Sequence, residues 1–418
     1  MTLYNTLAIL LTLSALFSYV NHRVFKLPTT IGLMLIALLS SLVLLVMSHY
    51  EASLGFSIKG NVQKILGSID FGQTLMHGML SYLLFAGALH VNLQDLAKLK
   101  WVIAMLATIG VLISTAIVGL LTWFVTGLLG FNISLIYCLI FGALISPTDP
   151  IAVISILKNI HAPKQLETKI AGESLFNDGI GVVIFLVLVG VASSTEPVSA
   201  LSVAKLFLVE ALGGVVFGLL VGILAYYMLR SIDNYSVEIL ITLALVSGGY
   251  AFATVIHTSG PIAVVVAGLI IGNQGRATAM SEKTRTHLDM FWELIDEVLN
   301  AVLFVLIGFE VLILTLSANY VLAGVIAIPV VLLARFIAVS IPVILFKRLQ
   351  DFSPKTIRIL TWGGLRGGIS VALALSLPEG ETRSLILTMT YTVVIFSILV
   401  QGLTIGRLVK SVAHEMEK

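Results

Sequence analysis

Ser146-Pro147-Thr148-Asp149-Pro150 stands deep inside an apolar run that covers residues 133–156. Each proline lacks an N–H and crowds the carbonyl four residues before it, so a helix through this run breaks here. The run has the make-up of a membrane span, where a charged side chain is costly and marks an ion path or its partner. Backbone groups freed inside a membrane are tolerated only where protein, water or an ion satisfies them. A kink that serves packing alone needs no neighbouring aspartate. The pentapeptide therefore reads as half of an ion site, a broken helix offering carbonyls and a carboxylate to a cation.

The rest of the chain fits that setting. Of its 418 residues, 58% are hydrophobic and 11% charged, against about a quarter charged in soluble domains, which excludes a water-soluble globule. The net charge of +2 leaves no basic field for nucleic acid. Cys138 is the only cysteine, so intrachain disulfides and cysteine metal clusters are excluded, and the eight histidines show no zinc-type spacing.

A spanning helix needs roughly 20 apolar residues. Runs of that order lie at 3–20, 29–48, 71–91, 101–126, 133–156, 170–192, 201–229, 236–256, 260–274, 291–315, 319–346, 357–377 and 384–406. The expected fold is an all-α polytopic membrane protein of about thirteen transmembrane helices. The first run lacks a basic leader and a small-residue cleavage site, so it is kept as a helix. Segment 51–70, with Ile58, Val62, Ile65, Leu66 and Ile69 at helical spacing among polar residues, is expected on the membrane surface. Eighteen of the 24 Lys and Arg fall in alternate loops on one side and four on the other. That asymmetry puts the C-terminus in the cytoplasm and the N-terminus outside. One transporter domain over 1–410 and a short cytoplasmic tail, 411–418, are expected.

Two further buried acids follow the break. In Gly172-Glu173-Ser174-Leu175-Phe176-Asn177-Asp178, Ser174 and Asp178 share one helix face while Glu173 and Asn177 share the next. One face can offer oxygens to an ion while the other is braced. Arg335 is a lone cation in an apolar span and needs a partner. Glu173 is the natural one, with Asn177 adding a hydrogen bond.

Trp362-Gly363-Gly364-Leu365-Arg366-Gly367-Gly368 is the second break. Its four glycines weaken the helix and let backbone approach backbone. The two breaks fall in the fifth and twelfth runs. An offset of seven matches an inverted six-helix repeat, 1–192 and 236–406, with 201–229 as the connecting helix. Two interrupted helices would then cross at the site.

These motifs in order resemble those of the monovalent cation:proton antiporters, in the sodium/proton exchanger branch close to prokaryotic NhaP-type proteins. The resemblance covers essentially the whole chain and implies an NhaA-like fold and a homodimer, in a prokaryotic plasma (inner) membrane. It implies that Asp178 is the ion and proton carrier. Thr148, Asp149 and Ser174 would complete a Na⁺ shell, and Arg335 would hold Glu173 and Asn177. No cofactor is implied beyond the transported Na⁺ or Li⁺ and H⁺.

Asp149, Glu173 and Asp178 against Arg335 and Arg366 leave one positive charge missing, which a low-dielectric site penalises. Either Na⁺ or H⁺ supplies it, so competition for Asp178 implies electroneutral one-for-one exchange. Arg366 belongs in that count only if it is buried. Activity should fall on both sides of a pH optimum, as protons first win and then become scarce. Hard oxygen ligands suit Na⁺ or Li⁺, while K⁺ exchange on the same fold is an alternative. An intramembrane aspartyl protease lacks its Gly-x-Gly-Asp motif here, and a cation channel lacks a carbonyl filter. Glu293, Asp296 and Glu297 either line an access funnel or favour a helix N-terminus. Glu310 is expected to reach the interface.

Overall fold

The computed structural model describes residues 3–48, 78–159, 164–194, 200–312, 317–347 and 355–416. The amphipathic segment 51–70 lies outside them. Among the described residues the fold is all helical, and its one strand-like feature is an isolated antiparallel bridge between Asp149 and Leu365.

The first half comprises α1 (Leu3–Val20), α2 (Thr29–Ser48), α3 (Leu80–Leu89), α4 (Leu93–Ala107), α5 (Ile109–Leu128), α6 (Leu135–Ile145), α7 (Ile151–Asn159) and α8 (Lys164–Ser193). Then come α9 (Ala200–Arg230), α10 (Tyr235–Val255), α11 (Gly260–Ile270), a short turn of helix at Arg276–Thr278, α12 (Glu282–Glu310) and α13 (Ala318–Phe346). The chain ends with α14 (Thr356–Trp362), α15 (Gly368–Leu375), α16 (Glu381–Phe396) and α17 (Gly402–Met416). Eight stretches are individually long and apolar enough to cross a membrane. Runs 133–156 and 357–377 are not among them because each is broken, and α12 is excluded by its charges.

Boundaries follow local chemistry. The expected run 101–126 starts earlier, at Leu93, because Asn92 caps it: its Oδ1 accepts from the Gln94 and Asp95 amides at 2.8 and 3.2 Å. Thr108 divides this run, its hydroxyl donating back to the Ala104 carbonyl at 2.6 Å, a bond that bends helices. α10 and α11 are separated by His257 in the left-handed region (φ 55°). Ser259 then caps α11, accepting from the Ile262 amide at 3.3 Å. α12 begins at Glu282, not near 291, because the Ser281 hydroxyl caps it. A π-helical turn, Ser397–Gln401, joins α16 to α17. α17 runs on to Met416, so most of the expected tail is helix.

α8 packs on α4 and α6, α6 on α5, and α13 on α5, α14 and α16. α12 packs on α1, α2 and α3, while α9, α10 and α11 pack together. Outward, α9 exposes Leu208, Leu212, Leu220, Leu224 and Tyr227. An apolar face of this kind is stable against lipid and costly in water.

Candidate ion-binding site

α6 stops at Ile145, and the Ser146 hydroxyl donates to the Gly142 carbonyl at 2.7 Å and lies 3.0 Å from the Ser114 hydroxyl of α5. Beyond it the backbone is extended, and its groups find partners on α8 and on the second break. The Thr148 amide donates to Asn177 Oδ1 at 3.3 Å, and Asn177 Nδ2 donates to Thr148 Oγ1 at 2.8 Å. Thr148 Oγ1 also lies 3.0 Å from Ser174 Oγ. The Asp149 amide donates to the Leu365 carbonyl at 2.7 Å, which makes the bridge between the two breaks. Asp149 Oδ1 accepts from the Ile151 amide at 2.9 Å and so caps α7.

The second break supplies the cation. Arg366 is 2% exposed, and its Nη1 donates to the Ser146 carbonyl and, at 3.0 Å, to the Pro147 carbonyl. Two carbonyls left without helical partners at the break, that of Ser146 freed by Pro150, are thus satisfied by a guanidinium some 220 residues away. The Arg366 amide donates to Ser397 Oγ at 2.9 Å, and Gln401 Nε2 donates to the Trp362 carbonyl at 2.9 Å. The π-helical turn therefore holds the loop that carries Arg366.

Asp178 is 7% exposed and makes no hydrogen bond to any described residue; its charged neighbours are Asp149 and Arg366. Glu173 is grasped by the Arg335 fork, Nη1 to Oε1 and Nη2 to Oε2, the latter at 2.9 Å. Arg335 Nε and Nη2 also donate to the Leu360 carbonyl at 3.3 and 3.2 Å, one of the last carbonyls of α14 and free of helical partners.

Several expectations need revision. Asn177 does not join Arg335; it braces Thr148, because the extended backbone there presents both a free amide and a hydroxyl. The glycines of the second break do more than admit backbone. A Cβ on Gly364 would stand 2.7 Å from Arg335 Nε, and one on Gly367 would stand 2.6 Å from Asp149 Oδ2. Gly367 has ordinary extended dihedrals (φ −118°, ψ −159°). Space for the carboxylate, not backbone freedom, requires glycine there. Gly367→Ala is expected to cut cation-driven exchange about tenfold or more by displacing Asp149, with protein yield near wild type. Vesicle transport normalised to purified protein checks this.

The acids of α12 also differ from expectation. Since α12 begins at Glu282, Glu293, Asp296 and Glu297 lie well inside it, which removes the helix N-terminus reading. Glu293 and Glu297 are exposed. Asp296 is half-buried, accepts from Asn300 Nδ2 at 3.1 Å and has Asp149 as a charged neighbour. Glu310 does not reach the interface; it is 8% exposed. Ser397 and Gln401 were not singled out from sequence. Two polar residues in the apolar run 384–406 were the available signal, and both are buried.

The description "Sodium/hydrogen exchanger, transmembrane" matches residues 10–411. The Na(+)/H(+) antiporter NhaP of Pseudomonas aeruginosa is 52% identical over 410 residues, covering 97% of this chain and 96% of that protein. The Na(+)/H(+) antiporter NhaH of Halobacillus dabanensis is 35% identical over 393 residues, 93% of each. Among solved structures, the sodium proton antiporter MjNhaP1 of Methanocaldococcus jannaschii superposes with a TM-score of 0.75 at 19% identity, covering 99% of both chains. That likeness bears on the fold. Matched across nearly its whole length and sharing half its residues with one relative, the chain belongs to the sodium/hydrogen exchanger family.

Proposed function

We propose that the chain is a secondary active Na⁺/H⁺ antiporter that exchanges one ion for the other at Asp178 by alternating access. The observation that carries this reading is the Asp178 carboxylate: buried, without a hydrogen bond among the described residues, and flanked by Asp149 and Arg366 where two broken helices meet. Its cationic neighbour, Arg366, donates to the Ser146 and Pro147 carbonyls, and no ion pair closes on the Asp178 carboxylate among the described residues.

With Arg366 buried, the charges at the crossing are Asp149, Glu173 and Asp178 against Arg335 and Arg366. The deficit of one is filled by Na⁺ or by H⁺, and the carrier crosses only when filled. Thr148, Asp149 and Ser174 are the further oxygens for the cation, hard ligands that suit Na⁺ or Li⁺. Exposure rises from Asp178 through Asp149 and Asp296 to Glu293 and Glu297. This gradient supports access from the acidic side of α12, which the charge asymmetry of the loops assigns to the cytoplasm.

The same reading includes a homodimer, inverted halves at 1–192 and 236–406, and an N-terminus outside a prokaryotic inner membrane. A family of exchangers consists of secondary transporters, which leaves no role for the protease reading. In proteoliposomes, a Na⁺ gradient is expected to move protons with no net current at any imposed voltage. A current reversing away from zero would refute one-for-one exchange. Titration with Na⁺, Li⁺ and K⁺ in the same vesicles separates the sodium reading from the potassium one.

A further inference from the structure

One face of α12 runs past the crossing and ends in a second cluster. Asp296, Asn300, Leu303, Ile307 and Glu310 follow at steps of four, three, four and three residues. That spacing sets them on one face over about 21 Å. The Asp296 end is polar and half-open, beside Asp149. The middle is apolar and shut. A Cβ on Gly368, at the start of α15, would stand 2.4 Å from Leu303 Cδ2, and Ile307 is fully buried.

Glu310 closes the other end. It is 8% exposed and makes no hydrogen bond to any described residue, although a carboxylate offers about four acceptor positions. On α16, Tyr391 is 1% exposed, and its hydroxyl also lacks a hydrogen-bond partner among the described residues. The two lie within electrostatic reach of each other. The other charged group facing Glu310 is Arg383, which is paired with Glu379 at 3.5 Å and whose Nε has no partner among the described residues. A buried polar group without a partner is costly, and two within electrostatic reach of each other point to a ligand that they take at another stage.

We infer that Glu310 and the Tyr391 hydroxyl form an outer cation station, taking a hard monovalent cation when that end of α12 opens. This rests on the antiporter reading. Asp296 receives the cation on one side of the membrane and Glu310 on the other, with Leu303 and Ile307 as the seal between them. Carboxylate and phenol oxygens are hard ligands suited to Na⁺. Arg383 is the counter-charge for Glu310 when no cation is bound.

The test is Na⁺ dependence measured separately from each face, in right-side-out and inverted vesicles. Glu310→Gln is expected to raise the KM for Na⁺ about tenfold from the outer face and less than about twofold from the inner face, with the maximal inner-face rate kept. Tyr391→Phe keeps the ring packing and is expected to give the same one-sided change at about threefold, which decides the matter if Glu310→Gln folds poorly. Glu310→Asp should recover part of the loss. An equal change from both faces in Tyr391→Phe, or none from either, overturns the station. Absence of Na⁺-driven proton movement in the unsubstituted protein would instead overturn the antiporter reading beneath it.

Discussion

Asp178→Asn protein is expected to fold, enter the membrane in wild-type amounts, and carry out no measurable Na⁺/H⁺ exchange, a loss of about 100-fold or more. The reasoning is electrostatic. Asn has the shape of Asp, and the Asp178 carboxylate has no hydrogen bond to lose among the described residues. What disappears is one negative charge. Asp149 and Glu173 are then balanced by Arg335 and Arg366 with no cargo aboard, so neither Na⁺ nor H⁺ is needed to neutralise the site. A carrier that is neutral when empty can still change conformation, but nothing obliges it to carry an ion. The measurement is Na⁺-driven pH change in vesicles, normalised to protein amount and paired with a thermal melt. Full exchange at wild-type rate would remove Asp178 from the centre of the mechanism. In the unsubstituted protein, competition of the two cargoes for one carboxylate gives a rate that falls toward both acid and alkaline pH; the variant should show no such optimum.

How much of this site was legible in the sequence depended on whether the signal was local. Pro147 and Pro150 announce a broken helix from their own stereochemistry, and Asp149, Glu173 and Asp178 stand out because charge is expensive in an apolar run. Arg335 required a partner for the same reason, and Glu173 is the one it has. Partnerships decided by three-dimensional placement were less visible. Helical spacing puts Glu173 and Asn177 on neighbouring faces, but it cannot say that Asn177 will meet the Thr148 backbone 29 residues away. Likewise Gly367 reads as a flexible residue in one dimension and as room for the Asp149 carboxylate in three. Helix limits followed caps more than hydropathy. Asn92 and Ser281 moved two starts outward by several residues, and that is why Asp296 sits inside α12 and not at its dipole end.

Arg335→Met is expected to cost about 3–5 kcal/mol of stability, the range for removing one member of a buried ion pair. Glu173 is 1% exposed and takes both of its charge-assisted hydrogen bonds from Arg335. Without the guanidinium it must either keep an uncompensated charge in the interior or take up a proton at the expense of those bonds. The Leu360 carbonyl, which accepts two of the Arg335 donors, is stranded as well. Glu173→Gln strands the opposite charge, since a guanidinium does not give up its proton. Its expected cost is of the same order, about 3 kcal/mol. The double variant Glu173→Leu with Arg335→Met removes both charges of the pair and strands neither. It should therefore melt well above Arg335→Met alone, so the two substitutions are strongly non-additive. Thermal melts of the parent, Glu173→Leu, Arg335→Met and the double variant in one detergent measure this cycle, with Glu173→Gln melted beside them. The same set separates a brace from a carrier. If Glu173 ferried protons, Glu173→Gln would lose transport while melting like the parent. A brace predicts that stability falls first, while exchange per folded molecule persists at a raised KM for Na⁺: Asp178 keeps the carboxylate that contacts the cargo, although the charge deficit that favours cargo binding is gone.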